Sequence, residues 1–420
     1  MFSVFANAWK VKDIRKKIMY VLLMLLIYRI GCHIPLPGIL GDKLTGSLDP
    51  SRLDNLFALI AGGDQGSIFT MGIGPYITSS IIMQLLTVAI PKLEQIQKEG
   101  EEGRKKINQY TRVVAIVLAV LQGSATVFSL QQKGMFSADA NMFVYIIATL
   151  AIVTGTMFIM WMSELLTERA IGNGSSFIIF ANILSSLPLA VFSLYDIATG
   201  GIFEAVKVIT MVILFIGVIA FVVLIQDGER RIPVQYSKKM VGKQMFGGQS
   251  SFIPIKVNIA GVMSIIFAIS LLQFPQTIAG FFAEPPVWLL NLSEWLSITA
   301  PIGAILYVVL IFCFTFFYTS FAVNPIEMAE NMKKNGGFIP GIRPGRPTSE
   351  YIQRTIDRLS WIGAVFYSIL AMTPVLLGWI FGINVGFGGT TLLIVVGVAL
   401  ELDKQLESQL LMRHYKGFLN

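Results

Sequence analysis

The sequence predicts an all-α polytopic membrane protein of ten transmembrane helices, and three observations carry that expectation. Of the 420 residues, 54% are hydrophobic and only 14% are charged, whereas a soluble domain carries about a quarter charged residues. Mean hydropathy is +0.69. The run 211–225 holds no polar side chain, which excludes the in–out alternation of a membrane β-barrel. Helices then remain as the way to satisfy backbone polar groups in lipid. Third, the basic residues are distributed with a strong sidedness, which fixes the order of the loops.

The ten candidate spans are 18–36, 68–90, 113–131, 142–165, 177–193, 206–225, 259–278, 302–323, 359–381 and 390–401. The first follows a basic segment holding Lys10, Lys12, Arg15, Lys16 and Lys17. It runs on without a small-residue cleavage site, so it reads as a retained span rather than a signal peptide. Before the second span lies a segment, 49–63, with helix grammar. Asp49 suits the cap, Pro50 the first turn and Gly62 the end. Leu53, Leu56, Phe57 and Ile60 form one apolar face. About three turns cannot cross a bilayer that needs roughly 20 residues. The pattern fits equally a helix lying on the outer surface and a re-entrant plug lining a protein cavity. The third to eighth spans follow at short intervals, broken by the basic loops 91–112 and 226–258. The ninth follows the loop 324–358, and the tenth is short and extends past residue 401.

All but five of the 32 Lys and Arg residues lie in the N-terminal segment, the loops 91–112, 167–176, 226–258 and 324–358, and the C-terminal tail. The exceptions are Lys43, Arg52, Lys133, Lys207 at the edge of the sixth span, and Arg29 inside the first. Lys and Arg mark the cytoplasmic side, so both termini are expected there. Ten spans then divide into 1–200 and 201–420, two five-span halves of opposite orientation. If the halves are related, the relation is an inverted repeat around a central pathway.

Several chemistries are disfavoured. Cys32 and Cys313 sit in apolar runs and read as small buried hydrophobes. His33 and His414 are too few and too distant for a zinc site, and no metal or cofactor is expected. No HExxH or GxSxG motif supports an intramembrane protease, and no Walker-type loop supports ATP hydrolysis. Ion-coupled transporters keep ionisable groups at membrane depth. Here Arg29 and His33 lie in the outer part of the first span, and Glu164 and Glu168 near the inner end of the fourth. A secondary transporter on an inverted repeat is the alternative, and the lack of midplane charge counts against it. An aliphatic pathway instead suits a conduit that excludes water without selecting a solute.

One stretch stands out. Residues 331–351 read NMKKNGGFIPGIRPGRPTSEY, combining Lys333, Lys334, Arg343 and Arg346 with closely spaced glycine and proline. Such a basic, irregular loop between apolar runs reads as a docking element on one membrane face.

Motifs along the chain carry a family resemblance. They are Gly72-Ile73-Gly74-Pro75-Tyr76-Ile77 through Gln84-Leu85-Leu86, then Glu99-Gly100 through Gly103-Arg104-Lys105-Lys106-Ile107-Asn108-Gln109-Tyr110-Thr111-Arg112. Further on come Gly172-Asn173-Gly174-Ser175, Glu229-Arg230-Arg231-Ile232-Pro233-Val234, Phe338-Ile339-Pro340-Gly341-Ile342-Arg343-Pro344-Gly345 and Gly388-Gly389-Thr390. In this order the chain resembles the SecY family of protein-conducting channels over essentially its whole length.

The resemblance implies a conduit for unfolded secretory proteins, with a side exit for membrane segments into the lipid bilayer. It implies a pore ring of Ile73, Ile77, Ile179, Ile266 and Ile394, with the 49–63 helix as a plug outside it. It implies a lateral gate between the second and third spans and the seventh and eighth, with Thr78, Gln84, Gln122 and Phe274 along the seam. It implies docking of partners on Arg230, Arg231, Lys238, Lys239, Arg343 and Arg346. Those partners would be the SecA motor ATPase or the ribosome, with SecE and SecG as companion subunits, in the bacterial plasma (inner) membrane.

Overall fold

The computed structural model describes residues 8–417 apart from 40–65, 133, 138–140, 171, 237–238, 242–243, 247–249, 280–281, 283–284 and 382–388. The expected plug helix, with Leu53, Leu56, Phe57 and Ile60, therefore lies outside the described residues, as does Lys238.

Each of the ten apolar stretches carries a helix. In chain order the helices are α1 (Lys12–Cys32), α2 (Gly74–Ala89), α3 (Pro91–Lys98), α4 (Glu101–Gln132), α5 (Met142–Arg169), α6 (Gly174–Thr199) and α7 (Ile202–Asp227). Strands β1 (Glu229–Tyr236), β2 (Lys239–Val241), β3 (Gln244–Phe246) and β4 (Ser250–Lys256) follow. Then come α8 (Met263–Ala279), α9 (Val287–Trp295), α10 (Pro301–Ala322), α11 (Pro325–Lys334), β5 (Gly337–Phe338), α12 (Arg346–Phe381) and α13 (Gly389–Gly417).

By length and apolarity, α4, α5, α7, α10 and α12 are each able to cross a membrane. α2 and α3 form a further apolar pair bent by 102°. The bend falls at Pro91, which opens α3 and cannot supply the N–H that would continue α2. α6 and α8 carry Pro188 and Pro275 inside them, and their apolar stretches are correspondingly shorter. α7 buries only 11% of its most apolar window. Ile209, Ile213, Ile216 and Leu224 on it are exposed, which is affordable where lipid rather than water faces the helix.

Several boundaries differ from the sequence expectation. The second span was expected from residue 68, but 66–73 form turns and α2 starts at Gly74. Pro75 sits in its first turn, where a missing N–H costs nothing. Backbone bonds from Leu36 to Gly66 and from Ile68 to Ile34 pin this turn region to the end of α1. The ninth span was expected from residue 359, but α12 starts at Arg346 and runs 36 residues. At 1.5 Å per residue that is about 54 Å, far more than the ~30 Å hydrocarbon layer. Its first turns therefore project beyond the bundle.

What they project into is a small three-stranded sheet of order β4-β1-β5. β1 pairs antiparallel with β4 (Ile232 opposite Ile253) and with β5 (Gln235 opposite Phe338). Along β1, Ile232 and Val234 are buried while Arg231, Pro233 and Gln235 are exposed, the period of two that a one-faced sheet requires. The buried pair joins Ile255, Met332, Ile339, Ile352, Ile356 and Leu359 in one core. β2 and β3 form a separate hairpin.

Within the bundle, α2 packs along α4 and α8 along α10, whereas α2 meets α8 over only a short stretch. At the ends of the chain, Ala8 and Ile14 pack with Leu406 of α13. Lys17 Nζ lies 3.5 Å from Gln409 Oε1, so the two ends of the described chain lie side by side.

Candidate functional site

All five isoleucines singled out in the sequence enter one buried cluster. Ile73 caps α2 and Ile77 lies one turn on, Ile179 belongs to α6, Ile266 to α8 and Ile394 to α13. Their exposure runs from 1% at Ile73 to 7% at Ile77. Each sits within the first two turns of its helix, so four helix starts converge on one apolar knot. The cluster takes members from both proposed halves, including Ile159 and Met162 of α5, Phe267 of α8 and Leu377 of α12. Phe267 stands edge-on to Phe314 and Tyr318, at 5.6 and 6.3 Å between ring centroids, which holds α8 against α10.

Local chemistry explains how Ile179 comes to lie there. Asn173 caps α6, its Oδ1 accepting from the Ser175 N–H at 3.0 Å. The Gly174 N–H donates to Thr167 Oγ1 at 2.9 Å. A Cβ on Gly174 would fall 1.9 Å from the Ser163 carbonyl oxygen, so only glycine lets α6 start this close to α5. Sequence reasoning passed over Ile183, one turn beyond Ile179, which is fully buried in the same cluster. The signal was present: Ile179 and Ile183 repeat the i, i+4 spacing of Ile73 and Ile77, which puts both on one face.

The expected gate residues are less unified. Thr78 is half-buried and donates to the Gly74 carbonyl at 3.1 Å, a bond within its own helix. Gln84 and Gln122 are half-buried on α2 and α4, and Gln84 Oε1 is enclosed with no hydrogen-bond partner among the described residues. Phe274 is 54% exposed, so it is not part of the core that holds the isoleucines. Nearby, Arg112 of α4 donates to Glu164 of α5 at 2.7 Å, which gives that acidic side chain a structural partner.

The β1–β5 pairing joins the two long loops that carry these basic residues. Arg230 and Arg231 are exposed on β1. Arg231 donates to Glu229 at 2.6 Å and lies 4.8 Å over the Phe252 ring. Lys239 belongs to β2. Arg343 and Arg346 are exposed beyond β5, Arg346 donating to Glu350 at 3.1 Å.

The expectation of an irregular loop over 331–351 is corrected. Its start belongs to α11, whose cap Asn324 accepts from the Ile326 and Glu327 N–H groups, and its end belongs to α12. Between them Ile339 is buried as an anchor, and Thr348 Oγ1 donates to the Arg343 carbonyl at 2.9 Å. Gly345 has φ +106° with nothing near its missing Cβ, so the backbone conformation rather than space requires glycine there. The turn is a fixed platform that presents Arg343 to solvent.

The fold and site define a helical membrane protein whose helix starts converge on one buried apolar cluster, with an exposed basic sheet region beyond one end. The family model described as SecY matches residues 67–402. The protein translocase subunit SecY of Streptomyces scabiei is 42% identical, with 100% of both chains covered. That of Aquifex aeolicus is 41% identical over 98% of each. Among solved structures, a protein conducting channel aligns with a TM-score of 0.66 at 19% identity, covering 93% of this chain and 91% of the other. Sec61 in the canine ribosome-channel complex aligns with a TM-score of 0.61 at 17% identity, again over 93% and 91%. The chain belongs to the SecY family.

Proposed function

We propose that this chain is a passive protein-conducting channel, which passes unfolded secretory proteins across the plasma membrane and releases transmembrane segments sideways into lipid. The observation that carries this reading is the burial of Ile73, Ile77, Ile179, Ile266 and Ile394 in one cluster drawn from four helices. An aliphatic constriction sheds water without selecting a side chain, as a conduit for variable sequences needs. The full-length likeness to translocase subunits favours this reading over a secondary transporter.

The finer parts follow from it. Residues 1–200 and 201–420 form two inverted halves making ten crossings, and the segment 49–63 closes the outer side of the ring as a plug. The short contact between α2 and α8 is the seam of the lateral gate. Polar contacts between membrane helices are worth only about 0.6 kcal/mol on average, and the Thr78 bond stays within α2, so a gate lined by Thr78, Gln84 and Gln122 is one that an arriving apolar segment easily biases. Phe274 faces that seam from the lipid side. Cysteines at Thr78 and Phe274 are expected to crosslink and block export; a folded complex that resists crosslinking there would exclude the pair.

Both termini face the cytoplasm, a reading supported by the packing of Ala8 and Ile14 on Leu406. The sheet then faces the cytosol, and Arg230, Arg231, Lys238, Lys239, Arg343 and Arg346 dock the partners that supply energy. These are the SecA motor ATPase or the ribosome, with SecE and SecG completing the channel. Ribosome-bound channels among the structural neighbours support the second partner, whose RNA phosphates favour basic side chains. The chain itself hydrolyses no nucleotide. Reconstitution with these partners and a secretory precursor tests the reading. Precursor reaching a protease-protected lumen is expected, and ion-coupled uptake of a small solute without precursor movement would exclude it.

A further inference from the structure

The last residues of α7 connect the sheet to the constriction. Gln226 is 8% exposed at the inner end of α7, and its Nε2 donates to the Leu393 carbonyl of α13 at 3.3 Å. Leu393 packs into the core of the C-terminal half, and its neighbour Ile394 packs into the isoleucine cluster. The amide therefore grips the peptide group from which the ring isoleucine projects. In a regular helix that carbonyl accepts from the residue four further on, which is Gly397. A Cβ on Gly397 would lie 3.0 Å from Gln226 Nε2, so glycine leaves the room the amide uses.

The two residues after Gln226 lead outward. Asp227 pairs with Lys404 of α13 at 2.8 Å. The Gly228 carbonyl accepts from the Val257 N–H at 3.0 Å, closing the end of the β1–β4 ribbon. One short stretch of chain is thus tied to the sheet on one side and to α13, beside Ile394, on the other. The Gln226 Oε1 atom is buried with no hydrogen-bond partner among the described residues. A side chain that gains one bond and leaves one acceptor unsatisfied gains little net stability, so its grip is readily released.

We propose that Gln226 is a positioning residue for the constriction, setting the orientation of Ile394 through the Leu393 carbonyl and passing movement of the docking sheet to the ring. This rests on the channel reading above. Loss of the amide rotates Ile394 out of register and loosens the seal, without any change at Ile394 itself.

The test uses the full complex in proteoliposomes and reads resting ion conductance per assembled channel. A second readout is the rate at which a membrane-impermeant thiol reagent modifies an Ile394→Cys variant. Gln226→Leu keeps the volume and removes the hydrogen bond, and is expected to raise both several-fold. Gly397→Ala crowds the amide and is expected to do the same. Combined with Gln226→Ala, it should add nothing, because the group it displaces is gone. This second route carries the test if Gln226→Leu assembles poorly. Unchanged conductance and modification in both single variants, while Ile394→Asn leaks in the same assay, would overturn the positioning role and leave the channel reading intact. If Ile394→Asn does not leak, the constriction itself is misassigned and the inference falls with it.

Discussion

The isoleucine cluster and the three-stranded sheet are built in opposite ways. The cluster gathers side chains that are each ordinary, from helices spread along most of the chain. The sheet gathers side chains that are each conspicuous, from two loops about a hundred residues apart that meet where Gln235 pairs with Phe338. On the proposed reading, the first works by convergence, since one aliphatic residue is exchangeable with another of similar shape. On the same reading, the second works through individual charges held beside a hydrogen-bonded sheet. The difference teaches where each region is fragile. The cluster should be sensitive to polarity and tolerant of identity, and the sheet should be sensitive to charge and to the few residues that fix its turns.

Substitutions at four positions probe that contrast. The largest effect is expected from Ile394→Asn, which brings an amide into the apolar knot and lets water enter. Resting ion leak should rise strongly and defective signal sequences should be tolerated, whereas Ile394→Leu should stay near wild type. Equal leak from both would erase the distinction between polarity and identity. Arg343→Glu should cut motor-driven precursor transport several-fold while the protein still inserts and assembles; undiminished transport would remove Arg343 from the docking surface.

Gly345→Ala should act in the same direction but less. A left-handed backbone costs an L-residue about 1–2 kcal/mol, enough to disorder the turn but not the bundle. Faster amide exchange confined to the segment around β5 is the expected signature, and no change there would mean the turn does not need its glycine. The smallest effect is expected from Lys404→Ala. Its pair with Asp227 is about half exposed on both sides, and such surface pairs contribute roughly 0–1 kcal/mol. A change in melting temperature beyond a few degrees would show that this pair does more than the geometry implies.

Much of the bundle was legible in the sequence because an apolar run long enough to span is a one-dimensional signal. Its errors were local. The turn region 66–73 is as apolar as the helix after it, so hydropathy could not separate the two, whereas Pro75 could have placed the start. The first turns of α12 are polar on one side, so they fell outside a window tuned to lipid. The sheet was the larger omission. In β1 the alternation of Ile232 and Val234 is short and flanked by Arg230, Arg231 and Pro233. Its partner β5 is only two residues long and distant in sequence, and such pairing leaves no local trace. The grouping of the five isoleucines was legible only through resemblance. Isoleucine is among the commonest core residues, and nothing in the sequence alone separates Ile179 from ordinary packing, although its i, i+4 spacing does place Ile183 on the same face.

The claim that polypeptide crosses at the isoleucine cluster has a direct physical readout. A photoreactive amino acid is placed at Ile77 or Ile394, and for contrast at the exposed Ile213 of α7, in complexes holding a secretory precursor stalled in transit. Crosslinks to the precursor at Ile77 and Ile394, with none at Ile213, are the expected result. Crosslinks at Ile213 with none at the two isoleucines would place the path outside the cluster and contradict it.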